Sequence, residues 1–283
     1  MTTSKTLGRA VAAASAAGGA LAAYAFLLEP RWLEVTRPTV HVRDLPPALE
    51  GLRIALLTDL HAGDGTSTSL IRRACRMAMA ERPDLIAITG DLAADDADGF
   101  RDVLDSLACL QAPLGVYAVP GNHDHIIGIQ TWHRQIAEHP VIEDLTNRAV
   151  IREVGGARLC VAGVDDLSEG RPHLGALPDP AARDLTLLLA HDPDQAERAR
   201  RTYDRIDLVL SGHTHGGQVR LPWIGALRNP SDYEELYEHG LRRRPWTQVY
   251  ISRGVGTVHL TVRFLCRPEV TVIRLTGAPR PTR

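Results

Sequence analysis

The chain has 283 residues, 44% hydrophobic and 23% charged, with a formal net charge of -2; this suits a globular protein and offers no basic field to attract nucleic acid. Only Lys5 among the 32 basic residues is a lysine, which removes Schiff-base and P-loop lysine chemistry from the body of the protein. Cys75, Cys109, Cys160 and Cys266 form no CxxC or CxxH pattern and are read as small buried apolar residues, not as a zinc site or a disulfide framework.

In chain order, the first feature is the uncharged run from Ala10 to Leu28, which follows Lys5 and Arg9 and ends before Glu29-Pro30-Arg31. Its length nearly spans a hydrocarbon core, and its basic flank suits a cytoplasmic N-terminus. Alanine dominates it, so its insertion is marginal, and Ala23-Tyr24-Ala25 offers an A-x-A cleavage site. Residues 1–30 are therefore expected to be a signal peptide or membrane anchor, making the protein membrane-associated or exported; a plain surface helix is the alternative. Residues 31–51 are expected to be a connecting segment. The N-terminal run should add little to the stability of a core whose strands begin near Ile54.

Beyond Arg53 one theme repeats: a short apolar run followed by a polar or glycine-rich turn. Ile54 to Thr58 ends at Asp59-Leu60-His61, Leu85 to Thr89 at Gly90-Asp91, and Gly115 to Val119 at Pro120-Gly121-Asn122-His123-Asp124. Leu185 to Ala190 ends at His191-Asp192, and Ile206 to Leu210 at Ser211-Gly212-His213-Thr214-His215. Such runs predict strands buried on both faces. Ser69 to Glu81 and Gly99 to Leu110 predict helices between the first three, hence a layered α/β fold. Val150 to Val164, around Gly155-Gly156, predicts a hairpin, as does Val249 to Leu275, so the sheet should become mixed in the second half. One catalytic domain over 52–277 is expected, without repeats or a second domain.

Ligands of open α/β sheets bind outside the carboxyl ends of the strands, and five such ends would bring Asp59, Asp91, Asn122, His191 and His213 together. Carboxylate and imidazole without cysteine suit hard or borderline divalent ions. Two ions about 3.5–4 Å apart can clamp the attacking and leaving oxygens of a phosphoryl group. Asp91 is the central candidate for the bridging carboxylate. Two aspartates leave such a pair net positive, which suits an anionic substrate and lowers the pKa of bound water, so no Ser or Cys nucleophile is needed. A lone Asp-x-His or Gly-Asp says little. A given four-residue string, however, arises by chance roughly once per 10^5 positions, and this chain carries both Gly121-Asn122-His123-Asp124 and Gly212-His213-Thr214-His215.

These motifs, with Asp59-x-His61, Gly90-Asp91 and His191, resemble the calcineurin-like metallophosphoesterase signature over about Leu52 to Leu275. The resemblance implies a four-layer α/β/β/α sandwich of two mixed sheets flanked by helices. It implies two divalent metal ions, with manganese, zinc or iron as candidates: Asp59, His61 and His215 on one, Asn122, His191 and His213 on the other, and Asp91 between. His123 resembles the family's acid that stabilises or protonates the leaving oxygen. Several branches carry an acid or amide three residues after the bridging aspartate, where this chain has Ala94, so Asp124 or Asp95 is expected to orient His123. Glu29-Pro30-Arg31-Trp32-Leu33, Gly163-Val164-Asp165-Asp166, His215-Gly216-Gly217-Gln218 and Ser252-Arg253-Gly254-Val255-Gly256 resemble bacterial envelope-associated members, some of which cleave the pyrophosphate of lipid-linked nucleotide sugars.

Asp165 and Asp166 are expected to form a turn. Arg253, on a glycine-rich loop, is either a phosphate ligand or a surface arginine. His125, His133 and His139 are placed on a solvated helix. Trp223 to Trp246 is either a wall over the site or an irregular excursion. The expected activity is metal-dependent hydrolysis of a phosphomonoester, phosphodiester or pyrophosphate bond, with a phosphoester substrate that is lipid-linked or belongs to the cell envelope. The rival is a non-catalytic metal- or wall-binding protein of the same fold, against which the complete ligand set and His123 both argue.

Overall fold

The computed structural model describes residues 2–63, 65–94, 97–173, 175, 177–200 and 205–278. Helix α1 (Thr2–Ala23) continues through a π turn (Tyr24–Leu28) and a 3-10 turn (Glu29–Arg31) into the short strands β1 (Glu34–Thr36) and β2 (Thr39–Val42). There follow β3 (Arg53–Leu57), α2 (Thr68–Ala80), β4 (Leu85–Thr89), α3 (Ala97–Leu107), β5 (Val116–Val119), α4 (Asn122–Glu138) and β6 (Ile142–Asp144). The hairpin β7 (Arg148–Val154) and β8 (Ala157–Gly163) turns at Gly155-Gly156, as expected, and leads to β9 (Leu185–Leu189), α5 (Gln195–Ala199) and β10 (Leu208–Ser211). A two-stranded ribbon, β11 (Arg220–Leu221) and β12 (Gly225–Ala226), precedes β13 (Gly240–Arg243), β14 (Gln248–Ile251) and β15 (Glu269–Gly277).

The strands form two mixed sheets. One runs β1-β15-β3-β4-β5-β6 with β2 also on β15, and the other runs β13-β14-β10-β9-β8-β7. Side-chain alternation explains the unbroken apolar runs. Ile54 and Leu56 of β3 face the second sheet, among Leu159, Leu187, Leu208 and Tyr250. Ala55 and Leu57 face the other way, onto Ile71, Cys75, Phe100, Val103 and Trp132 of α2, α3 and α4. The second sheet has its own outer core, where Leu188, Val209 and Val249 meet Ala196, Ala199 and Tyr237. The central strands β4, β5, β9 and β10 are thus buried on both faces, and the result is the four-layer α/β/β/α sandwich. Fully burying one such aliphatic side chain contributes about 1.5–3 kcal/mol, so the three cores account for the order of the layers. Ser67 caps α2, its side chain accepting the Leu70 N–H at 3.3 Å.

Four expectations change. Val249 to Leu275 is no hairpin: β14 pairs in parallel with β10 in one sheet, and β15 pairs antiparallel with β3 in the other. Periodicity reveals strands but not which sheet receives them, so the intervening residues 252–268 cross between sheets. Residues 31–51 do more than connect, since β1 and β2 both lie parallel to β15; strands of three and four residues around Pro38 are too short to show a pattern. The N-terminal run is not separate from the core either. Ala25 is buried, its carbonyl accepts the Arg263 N–H at 3.0 Å, and Tyr24 meets Phe264 edge-on at 6.3 Å between centroids. Finally, Cys75, Cys160 and Cys266 are buried, but Cys109 is exposed just beyond α3.

Candidate metal centre

The carboxyl ends of β3, β4, β5, β9 and β10 meet at one edge, where the loops after them are bonded to one another. Asp59 N–H donates to Gly90 O at 3.0 Å, His61 N–H to Asp91 O at 3.1 Å, and Gly212 N–H to His191 O at 3.0 Å. All seven residues singled out as ligands meet here. His61 Nε2 lies 3.1 Å from His215 Nε2 and 3.4 Å from Asp91 Oδ2. His215 Nε2 lies 3.4 Å from Asp59 Oδ1. On the other side of Asp91, His191 Nε2 is 3.2 Å from Asp91 Oδ2, from Asn122 Oδ1 and from His213 Nδ1. Asp91 thus stands between two groups of donors, one containing Asp59, His61 and His215 and the other containing Asn122, His191 and His213.

The donor chemistry fits cations. His191 Nδ1 is 2.7 Å from the Thr89 carbonyl, which can only accept, so Nδ1 carries a proton and Nε2 faces two oxygens whose lone pairs demand a proton or a metal ion between them. Metal-binding histidines commonly spend their second nitrogen on a backbone carbonyl in this way. Burial and the neighbouring histidines hold His61 down to about 3 and His213 down to about 4. Burial and His61 likewise hold His215 well below the usual value. All three are thereby neutral, the form that ligates. Burial would also lower His191, but Asp91 and Asp59 raise it well above normal. Burial works to raise Asp91, yet His191, His61 and His123 more than offset it and hold its pKa below the ordinary range. Burial and Asp91 push Asp59 up to about 6, against the opposing pull of His191. The two carboxylates thus create a demand for positive charge beside His191 that divalent ions would meet.

Backbone conformation points to the same place. Asp59, His61, Asp91, His213 and His215 all have left-handed backbones, with φ of 50°, 44°, 53°, 68° and 51°. Such conformations cost on the order of 1–3 kcal/mol each and persist where the surroundings impose them. Five of the seven donors carry this strain, which aims their side chains inward. Glycines make the necessary room: a Cβ on Gly90 or on Gly121 would lie 2.8 Å from His191 Nδ1.

Asp124 does not orient His123. Its Oδ2 accepts the N–H groups of Asp91 at 2.8 Å and Gly121 at 2.9 Å, and Oδ1 accepts Leu92 N–H at 3.0 Å. It therefore ties the Asp91 turn to the start of α4. Burial and Asp91 push it up to about 7, against the Gly121 and Leu92 donors and His191. Asp95 lies outside the described residues. His123 Nδ1 instead lies 3.1 Å from the carbonyl of Ala94 itself, so the main chain at the substituted position does what a side chain does elsewhere. The His123 ring stands edge-on to His61 at 4.8 Å, and one of its nitrogens is within 4.8 Å of donor atoms of His61 and Asp91.

Arg253 is a structural residue rather than a phosphate ligand: its Nε donates to Glu269 at 2.8 Å and its terminal nitrogen to Glu34 at 3.1 Å. Asp166 forms the expected turn, one oxygen accepting the N–H groups of Ser168 and Glu169 at 2.9 and 2.8 Å. The predicted solvated helix is α4, but His125 is mostly covered and bonds Asp165 at 2.7 Å, while His133 bonds Asp144 at 2.7 Å. Above the cluster opens a cleft of about 410 Å3. Leu227, Arg228 and Pro230, from the Trp223 to Trp246 stretch, form part of its wall, and Val258, His259, Leu260 and Val262 form another part. The second wall is absent from the sequence reading, which places its Val258-x-Leu260-x-Val262 run inside the expected Val249 to Leu275 hairpin.

Residues 52–217 match the family described as calcineurin-like phosphoesterase. The chain is also 33% identical over 273 residues to the uncharacterized metallophosphoesterase YkuE of Bacillus subtilis, covering 95% of this chain and 94% of that one. The chain belongs to the calcineurin-like phosphoesterase family. This phosphoesterase is similar as well to the phosphodiesterase YaeI of Escherichia coli, at 34% identity over 89% of this chain and 92% of that one. It is 33% identical to a bovine transmembrane protein with metallophosphoesterase domain, over 87% of its own length and 57% of the bovine chain.

Proposed function

We propose that this phosphoesterase hydrolyses a phosphodiester, or the related monoester or pyrophosphate bond, at a dinuclear centre. Asp59, His61 and His215 would hold one divalent ion and Asn122, His191 and His213 the other, with Asp91 between them. The observation that carries this is the convergence of buried lone pairs on both sides of Asp91. When bound, the two ions supply Lewis acidity and activate water. The protein's own part is to fix the donors through strained turns, to keep three imidazoles neutral, and to steady His123. Because Ala94 O accepts from Nδ1, Nε2 of His123 is the nitrogen that would hand a proton to the leaving oxygen. A phosphodiester is the first class to try, since the E. coli relative bears that name. Manganese, zinc and iron all accept this donor set.

A lipid-linked substrate and attachment to the membrane belong to the same proposal. Their support is the exposed apolar helix running from Leu7 to Arg31, long enough to cross a bilayer, and the apolar wall of the cleft. The test strips the full-length protein of metal, reloads it with Mn²⁺, and follows bis(p-nitrophenyl) phosphate. Wild type should regain turnover, and Asp91→Asn should lose more bound metal than Asn122→Ala. Full two-metal loading of Asp91→Asn removes the bridge assignment. Metal uptake with no turnover on any phosphoester favours the non-catalytic rival.

A further inference from the structure

The cleft is lopsided, with donors on its floor and Val219, Leu227, Val258, Leu260 and Val262 along one wall. That wall extends outward into exposed apolar side chains. At the tip of the β11–β12 ribbon Trp223 is 102% exposed and Ile224 68%, and Leu260 and Leu265 are also more than half exposed. One exposed leucine needs no explanation, but a contiguous group beside a cleft marks an interaction surface. Trp223 also holds φ 65°, a conformation that glycine or asparagine adopts far more readily.

The ribbon and the neighbouring loop form one body with the apolar helix. Arg220 N–H donates to Phe264 O at 2.9 Å, and Gln218 Nε2 donates to the carbonyls of Val258 and Leu260, both at 3.1 Å. The loop is in turn fastened to the helix end. The fully buried Glu29 carboxylate accepts the N–H groups of Leu265 at 3.0 Å and Cys266 at 2.5 Å, beside the Ala25–Arg263 bond. Phe26, Leu27 and Leu28 are exposed on this end. Trp32 follows, with the Arg267 guanidinium 4.3 Å above its ring, an aromatic and basic pairing of the kind found at headgroup level.

We propose that the Trp223–Ile224 ribbon tip, with Leu260 and Leu265, inserts into the lipid bilayer beside the N-terminal helix, so that the cleft opens onto the membrane surface and receives an amphiphilic phosphoester from it. The bilayer is the occupant that continuity selects: a 25-residue helical span whose apolar window is only 6% buried is fastened to the very loop that carries the exposed residues. The site receiving this substrate is the one assigned above, so the inference rests on that reading for its turnover arm alone.

The test uses full-length protein in phosphatidylcholine vesicles, with and without dibrominated acyl chains that quench tryptophan. Trp32, Trp132 and Trp246 are common to both proteins, so the difference between wild type and Trp223→Phe reports position 223. The expected result is a quenched component that Trp223→Phe lacks; identical quenching in both proteins overturns the proposal. In the second arm the double variant Trp223→Asp/Ile224→Asp is compared with wild type on two substrates. Turnover of soluble bis(p-nitrophenyl) phosphate should stay within about twofold. Turnover of a diacylglycerol p-nitrophenyl phosphodiester in the same vesicles should fall about tenfold or more, and equal loss on both substrates also overturns the proposal. If the Mn²⁺-loaded protein turns over neither substrate, the phosphoesterase reading fails while the quenching result still decides the membrane contact.

Discussion

Gly121→Ala is a clean probe of how tightly the ligand shell is built. Gly121 has φ −111° and ψ −178°, which alanine adopts without strain, so any effect comes from the added methyl group. That Cβ would lie 2.8 Å from both Asp91 N and His191 Nδ1, and nearer still to Asp91 Oδ1. Ordinary contact begins at 3.4 Å, so each neighbour must retreat by at least about 0.6 Å, and the Asp91 carboxylate by more. Neither can do so freely, since Asp91 N–H is held by Asp124 and His191 Nδ1 by Thr89 O. Misplacing a catalytic group by about 1 Å costs about 10²-fold in rate, and overpacking costs about 1–3 kcal/mol, or roughly 2–10 °C in Tm at this size. Metal analysis after desalting, kcat/KM on bis(p-nitrophenyl) phosphate and calorimetry would be run together. Expected are substoichiometric metal, about 100-fold lower kcat/KM and a lower Tm. Full metal content with wild-type turnover would show that Asp91 and His191 are not where the catalytic geometry is decided.

Replacing His123 with alanine should lower kcat by about 10²–10⁴-fold with both ions retained by metal analysis. That loss should shrink as the leaving group becomes more acidic, and a uniform loss across a leaving-group series makes His123 a positioning residue. Glu269 is buried but held down to about 2 by Arg253, Thr36 and Tyr250. A depressed carboxylate stabilises above its ordinary value near 4.5 and loses that contribution as pH falls toward 2. Glu269→Gln should therefore cost on the order of 3 kcal/mol at pH 7 and flatten the acid limb of stability between those two values in urea titrations. Removing residues 1–23 should leave Tm within a degree or two, whereas removal through Leu28 should lower it by several degrees, because only the longer cut takes away Tyr24 and Ala25; equal Tm values would show that these contacts contribute nothing.

The sequence made the buried strands and the convergence of the candidate donors legible for one physical reason. Strands covered on both faces must be uninterrupted apolar runs, and their catalytic turns must break that run at once with Asp, Asn or His. Ile54 to His61 shows both halves of the rule. Pairing was not legible, because nothing in Val249 to Leu275 says that its two ends belong to different sheets. Nor was the role of Ala94, whose contribution is a carbonyl that every residue possesses. The second cleft wall, Val258 to Val262, lay hidden because its apolar alternation reads as part of a strand, whereas the chain there is an irregular crossing between the sheets. Asp124 was noticed, but only the structure shows that it holds the Asp91 turn.

The pairing of β15 with β3 joins Thr271 to Leu56, so a central strand of the first sheet waits for nearly the whole chain to be synthesised. Strands β7 to β10 with β13 and β14 build the second sheet in the interval, and the crossing 252–268 then lays Gly256 against Asp59, its N–H donating to the Asp59 carbonyl at 2.6 Å. Such long-range closure is slow and leaves apolar edges exposed on the way. On the ribosome, therefore, the first sheet and the turns proposed to bind metal should complete together only after β15 has emerged. A chain stalled before residue 269 should have a protease-sensitive first half and no metal affinity, even though every proposed ligand has already been translated.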